Sequence, residues 1–71
     1  MPLTKATTGK DMIITAINGG RRMKSRLAAM GILPGQLLRI VGSSGGGQLI
    51  VKSNGSNIAI GKGISRSIYV I

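Results

Sequence analysis

Side chains that could carry out catalysis are nearly absent from this chain. Asp11 is the only acidic residue among 71, and there is no histidine and no cysteine. Acid–base and nucleophilic catalysis need positioned proton carriers or an activated nucleophile. A single carboxylate without a partner base supplies neither. The composition therefore predicts a protein that is not an enzyme.

Metal ligands are equally scarce. Structural metal sites are usually built from cysteine and histidine, and calcium or magnesium sites from clustered oxygens. The remaining candidates are Asp11 and four methionines, none at ligand spacing, and Met23 and Met30 fit a hydrophobic stripe better than a metal site. We expect no metal site and no cofactor.

A glycine-rich stretch has the outer spacing of a phosphate-binding loop. Gly42 and Gly47 stand at the Walker positions, but Gln48 and Leu49 occupy the places where lysine and serine or threonine are required. Such a loop must also open a helix, whereas a strand is predicted to follow here. The stretch is interpreted as a hairpin tip between strands.

The basic residues are the strongest functional signal. Ten lysines and arginines against one acid give a net charge of +9, which attracts nucleic acid, anionic lipid or an acidic protein surface. The candidate partner-binding residues, concentrated on one element, are Arg21, Arg22, Lys24 and Arg26. The alternative is that they form a solvated helix face whose charge only maintains solubility.

Nucleic-acid binding is the second functional hypothesis. Small basic barrels often bind RNA or DNA, but single-strand recognition depends on aromatic stacking, and Tyr69 is the only aromatic residue. Binding to a duplex backbone stays open.

The basic residues lie on a predicted helix from Arg21 to Met30. Its apolar positions Met23, Leu27 and Met30 fall at i, i+4 and i+7, which places them on one face. Gly31 is expected to end the helix in the left-handed conformation.

The residues after the helix predict a rigid connector. Ile32 and Leu33 are expected to fold back onto the core, and Pro34 with Gly35 fits the central positions of a type II turn. The helix end and the turn would fix the helix against the rest of the fold.

Strands account for most of the remaining chain. Asn54 and Gly55 suit a two-residue hairpin turn, and "GKGISRS" allows one short helical turn. About five antiparallel strands with one short α-helix after the first predict a mainly β fold, a small closed barrel forming a single domain over residues 1–71. The predicted strands are "MIITAI", "QLLRIV", "QLIVK", "NIAI" and "IYVI".

Two further expectations concern surroundings and self-association. No uncharged stretch is longer than the twelve residues from Leu27 to Leu38, which is short of the ~20 residues of a membrane span, and no signal peptide is evident, so we expect a cytoplasmic protein. Apolar residues on the second faces of the strands could support a homodimer: Ile14, Leu37, Val41, Ile50, Tyr69 and Ile71.

The order of these features resembles the FeoA family, small SH3-like barrels of bacterial ferrous iron uptake. The stretches "RLAAMGILPG" and "GSNIAIGKGISRSIYV" are similar to the family patterns "RL..LG..PG" and "GS.LAL...A..I.V". The first pattern is matched by Arg26, Leu27, Met30, Gly31, Ile32, Leu33, Pro34 and Gly35, and the second by Ser56, Ile58, Ala59, Ile60, Ile68 and Val70.

The resemblance implies a cytosolic accessory protein that acts on the GTPase part of the membrane ferrous iron permease FeoB, regulating or supporting transport without carrying iron. Its partner would hold it at the inner face of the membrane. The structural residues under this interpretation are Leu27, Met30, Gly31, Pro34 and Gly35. The sequence departs from the family at "GKG", residues 61–63, and at Ser65, where a looser turn is expected.

Overall fold

The computed structural model describes residues 1–71 and contains five strands and two α-helices. A 3₁₀ turn over Leu3–Lys5 precedes the first strand. The elements are β1 (Asp11–Ile17), α1 (Arg21–Ala29), β2 (Leu37–Ser43), β3 (Leu49–Ser53), β4 (Ser56–Ile60), α2 (Lys62–Ser65) and β5 (Ile68–Val70). Five antiparallel strands with one helix after the first are confirmed, and α2 is the short helical turn predicted before β5.

The strands form one sheet in the order β4-β3-β2-β1-β5, with every pair antiparallel. β1 joins its two halves, because Asp11–Ile13 pair with β2 and Ile14–Ile17 pair with β5, with an irregular register between Ile14 and Ala16. Such an irregularity bends a strand and increases its twist. The bend lets a short sheet curve around one core.

The two ends of the sheet differ. β4 and β5 do not pair with each other, so backbone hydrogen bonds do not close the barrel that the sequence predicted as closed. At β5, Pro2 bridges Tyr69, and Met1 and Val70 exchange backbone hydrogen bonds of 2.8 and 2.9 Å. No strand pairs with the outer edge of β4.

The core consists of twelve buried apolar residues, nine of them on strands. Of the other three, Leu27 lies on α1, Ile32 follows it, and Leu3 comes from the N-terminal 3₁₀ turn. Leu3 has no exposed surface. The sequence predicted no element before β1, because a three-residue turn leaves no periodic signal.

The connector after α1 has the predicted geometry. Gly31 has φ +82° and Gly35 has φ +94°. The Ile32 N–H donates to the Leu27 carbonyl and the Gly31 N–H to the Ala28 carbonyl, both at 2.9 Å, which is the Schellman pattern of helix closure. The Gln36 N–H donates to the Leu33 carbonyl at 3.2 Å and closes the turn through Pro34 and Gly35.

Three sequence-based placements are wrong. Met30 is 44% exposed, because α1 ends at Ala29; of the stripe, Leu27 is buried and Met23 is half-buried against the core. Leu33 is also exposed, since neighbours in extended chain point to opposite sides and Ile32 takes the inward position. Ile14 is buried on the inner face of β1 with Met12, whereas Ile13 faces outward.

α2 is a regular helical turn rather than a loose segment. Ser65 is fully buried, and its hydroxyl donates to the Lys62 carbonyl at 3.0 Å. The buried hydroxyl thus has a partner, so serine is accommodated where the family pattern has alanine.

Candidate functional site

α1 presents the four predicted partner-binding residues to solvent. Arg21, Arg22, Lys24 and Arg26 are all exposed, and none takes part in an ion pair. The helix has no side-chain cap at Gly20 and no acidic residue in its first turn. Because the N-terminus of a helix carries partial positive charge, Arg21 and Arg22 lie where cations are unfavourable. Helix stability therefore does not explain their position.

One side chain anchors α1 to the sheet. Leu27 is 2% exposed, whereas every other residue of the helix is exposed or half-buried. Half-buried Met23 lies over Gly19, where a Cβ would collide with the Met23 methyl group. The glycine before the helix thus allows this second, weaker contact.

An apolar groove lies on each side of α1. The first has a volume of about 360 Å³ and runs between α1, β1 and the connector, with Lys24, Ala28 and Pro34 among its walls. The second, which we call the β4 groove, has a volume of about 470 Å³. Its lining residues are Arg22, Met23, Arg26 and Leu27 of α1, Met30 directly after the helix, Ala59 of β4 and Ile64 of α2.

The structure therefore divides the predicted partner-binding set. Arg22 and Arg26 border the β4 groove, Lys24 borders the first groove, and Arg21 borders neither. Sequence reasoning missed Ala59 and Ile64, because it could not place β4 and α2 beside α1. No local sequence pattern marked either residue.

The one acidic side chain is engaged elsewhere. Arg39 Nε donates to Asp11 Oδ1 at 2.8 Å across the exposed β1–β2 pair. This hydrogen bond lowers the pKa of the Asp11 carboxyl and raises that of Arg39. No cluster of three or more potential histidine, cysteine, aspartate or glutamate ligands occurs.

Gly31 of the connector lies close to the β3–β4 hairpin. Asn54 and Gly55 have φ of +52° and +79°, as a two-residue turn requires. A Cβ at Gly31 would collide with Asn54 Nδ2. Gly31 is thus needed for both its backbone conformation and the approach of this hairpin.

Most of the residues considered for self-association remain accessible. Leu37 and Ile71 are 57% and 73% exposed. Both lie beside Ile13, which pairs with Leu37 in the sheet and exchanges backbone hydrogen bonds with Ile71. Val41 is also exposed, while Ile50 and Tyr69 are half-buried.

Comparison with known proteins places the fold in a family. The model of the FeoA domain matches residues 1–71, the whole chain. The chain belongs to the FeoA family. An Fe(2+) transport protein A of Methanocaldococcus jannaschii is 38% identical over 69 residues, which are 97% of this chain and 83% of the relative.

Solved FeoA structures have the same architecture. The crystal structure of an iron uptake regulatory protein, FeoA, shares 31% identity with a TM-score of 0.88, covering 99% of this chain and 93% of that one. FeoA of Stenotrophomonas maltophilia, described as an SH3 domain protein complexed with zinc, covers 100% of this chain and 89% of its own at a TM-score of 0.82. At 18% identity, the latter shows the fold alone. The SH3-like fold is confirmed.

Neither α-helix of this FeoA protein has the length and apolar character needed to cross a bilayer.

Proposed function

We propose that this FeoA protein is a non-enzymatic accessory protein of ferrous iron transport that binds the cytosolic GTPase part of a FeoB-type permease through α1. The main supporting observation is that α1 exposes four basic side chains that form no ion pair and has an apolar groove on each side. The name of the Methanocaldococcus relative supports the pathway. In this role the protein works in the cytoplasm, held at the membrane by its partner.

The composition supports binding rather than chemistry. Asp11, the only acidic residue, is held by Arg39 on the sheet, so α1 has no nearby general base. An exposed basic helix can steer association with an acidic surface, and apolar grooves beside it can supply contact area after docking. The protein would act by changing the state of its partner.

The test measures association with the isolated cytosolic domain of the permease. Reversing Arg22 and Arg26 to glutamate changes the local charge by about four units, and we expect the on-rate at low salt to fall by at least about tenfold. The difference from wild type should shrink as salt shortens the screening length. A folded double variant with an unchanged on-rate would contradict docking through α1.

A matched control carries the same charge change away from α1. Lys5 and Lys10 are exposed and outside the helix, so Lys5→Glu with Lys10→Glu should slow association much less. Nucleic acid is the competing partner. Retention of labelled duplex with a steep salt dependence, alongside no binding to the permease domain, would favour it.

A further inference from the structure

The outer edge of β4 is a strand edge that this fold leaves free to accept another strand. β4 pairs with β3 from Ser56 to Ile60 on one side, and no strand pairs with its other side. The opposite end of the sheet is covered by Met1 and Pro2. An uncovered edge presents alternate N–H and C=O groups that can pair with an extended chain.

The same edge adjoins the β4 groove. Ala59 of β4 and Ile64 of α2 line the groove on one side, and Met23 of α1 and Met30 at the end of that helix line it on the other. Met30 is 44% and Ile64 37% exposed. Apolar side chains this accessible, gathered in one concave site beside a free strand, provide a surface for apolar side chains of a docked segment.

The positive charge beside the β4 groove indicates which kind of chain can bind there. Arg22 and Arg26 border the groove, and the only acidic residue of the chain is paired with Arg39 on the sheet. A second copy of the protein would add a further +9 charge and bring no free acidic side chain. The complementary occupant is therefore a different, acidic chain.

We infer that an extended acidic segment of the partner protein adds to the outer edge of β4, placing apolar side chains in the β4 groove and carboxylates against Arg22 and Arg26. This inference rests on one part of the proposed function, namely that α1 contacts a protein partner. Backbone pairing with β4 would supply affinity. The apolar lining of the β4 groove, with Arg22 and Arg26, would select segments that combine apolar and acidic side chains.

The test uses a capped peptide that alternates valine with glutamate, and a control peptide that alternates valine with lysine. Only the acidic peptide should bind. Amide hydrogen exchange in β4 should slow on binding, at alternate residues, because one edge of a strand presents every second N–H. No binding of the acidic peptide at low salt, or binding without protection of β4, overturns the inference.

Two pairs of reversals on α1 separate the groove from general electrostatics. Arg22→Glu with Arg26→Glu should weaken peptide binding by about tenfold or more, since both residues border the groove. Arg21→Glu with Lys24→Glu makes the same charge change on the same helix but outside this groove, and should weaken binding by less than about threefold. Equal effects of the two pairs would overturn the inference.

The permease domain is tested in parallel. Binding of the peptide but not of the permease domain would remove the proposed function and leave the docking site standing. Binding of the permease domain without protection of β4 would keep the proposed function and overturn this inference.

Discussion

The sheet and α1 differ in how they are held and in what they expose. Strands supply nine of the twelve core residues and pair with one another across the whole sheet, whereas α1 supplies only Leu27. However, α1 carries four of the ten basic side chains of the protein, and these four are all exposed. Stability resides mainly in the sheet, and the candidate recognition residues reside on the least embedded element.

This separation has a physical consequence. Surface substitutions away from special features change stability little, so the exposed face of α1 can vary in charge without loss of the fold. β1 differs, because three of its seven residues, Met12, Ile14 and Ile17, are buried, and substitutions at these positions would disturb the core. Because α1 is attached mainly through Leu27, an apolar groove remains on each side of the helix.

The largest expected effect tests the single anchor. Leu27→Ala should lower the free energy of unfolding by about 2–5 kcal/mol, because it empties the buried site that joins α1 to the sheet. Met30→Ala, at the C-terminal end of the helix and on the same predicted stripe, is the control, and as an exposed residue it should cost about 0.5 kcal/mol or less. Chemical denaturation measures both. Similar costs for the two variants would show that α1 is not held mainly by Leu27.

The next effect tests how the helix end meets the sheet. Gly31→Ala and Gly35→Ala should each cost about 1–2 kcal/mol, because both residues have positive φ. Gly31→Ala should cost more, since its Cβ would meet Asn54, whereas no atom lies near a Cβ at Gly35. Thermal unfolding in the Asn54→Gly background should remove this difference. A difference that persists would mean that the hairpin contact is not its source.

A smaller effect concerns the charges of α1. Arg22→Glu with Arg26→Glu should change the free energy of unfolding by about 0.5 kcal/mol or less, in contrast to its large effect on binding. Glutamate at position 22, in the first turn, is favourable, whereas glutamate at position 26, in the last turn, is unfavourable, so the two interactions with the helix dipole largely offset each other. Destabilisation comparable to that of Leu27→Ala, measured by denaturation, would assign these arginines a structural role.

The smallest effect is the response to acid. Because Arg39 lowers the pKa of Asp11 in the folded state, this pair contributes stability above the unfolded-state pKa of about 3.9, and the contribution is lost as pH falls through the lower, folded value. Both side chains are exposed, so the change should be small. Asp11→Asn should remove this part of the pH dependence of the unfolding midpoint, and an identical acid profile in the variant would contradict it.

The sequence alone determined much of the fold because its signals are local. Gly31, Pro34 and Gly35 predict a helix end and a turn through backbone conformations that other residues adopt poorly, and the structure has both. The Asn54–Gly55 turn fixes one hairpin in the same way. The scarcity of acidic residues, histidine and cysteine and the clustering of basic residues likewise need no coordinates.

Tertiary structure decided which side of each element faces the core and what lies beside α1. Periodicity placed Met23, Leu27 and Met30 on one stripe, but only Leu27 is buried, because the helix ends before Met30 and Met23 packs at the margin of the core. The irregularity in β1 and the free edge of β4 depend on pairing between distant segments. Arg22 and Arg26 therefore share a groove with Ala59 and Ile64, which lie more than thirty positions later in the chain. No local pattern specifies this neighbourhood, because it arises only when the strands pair.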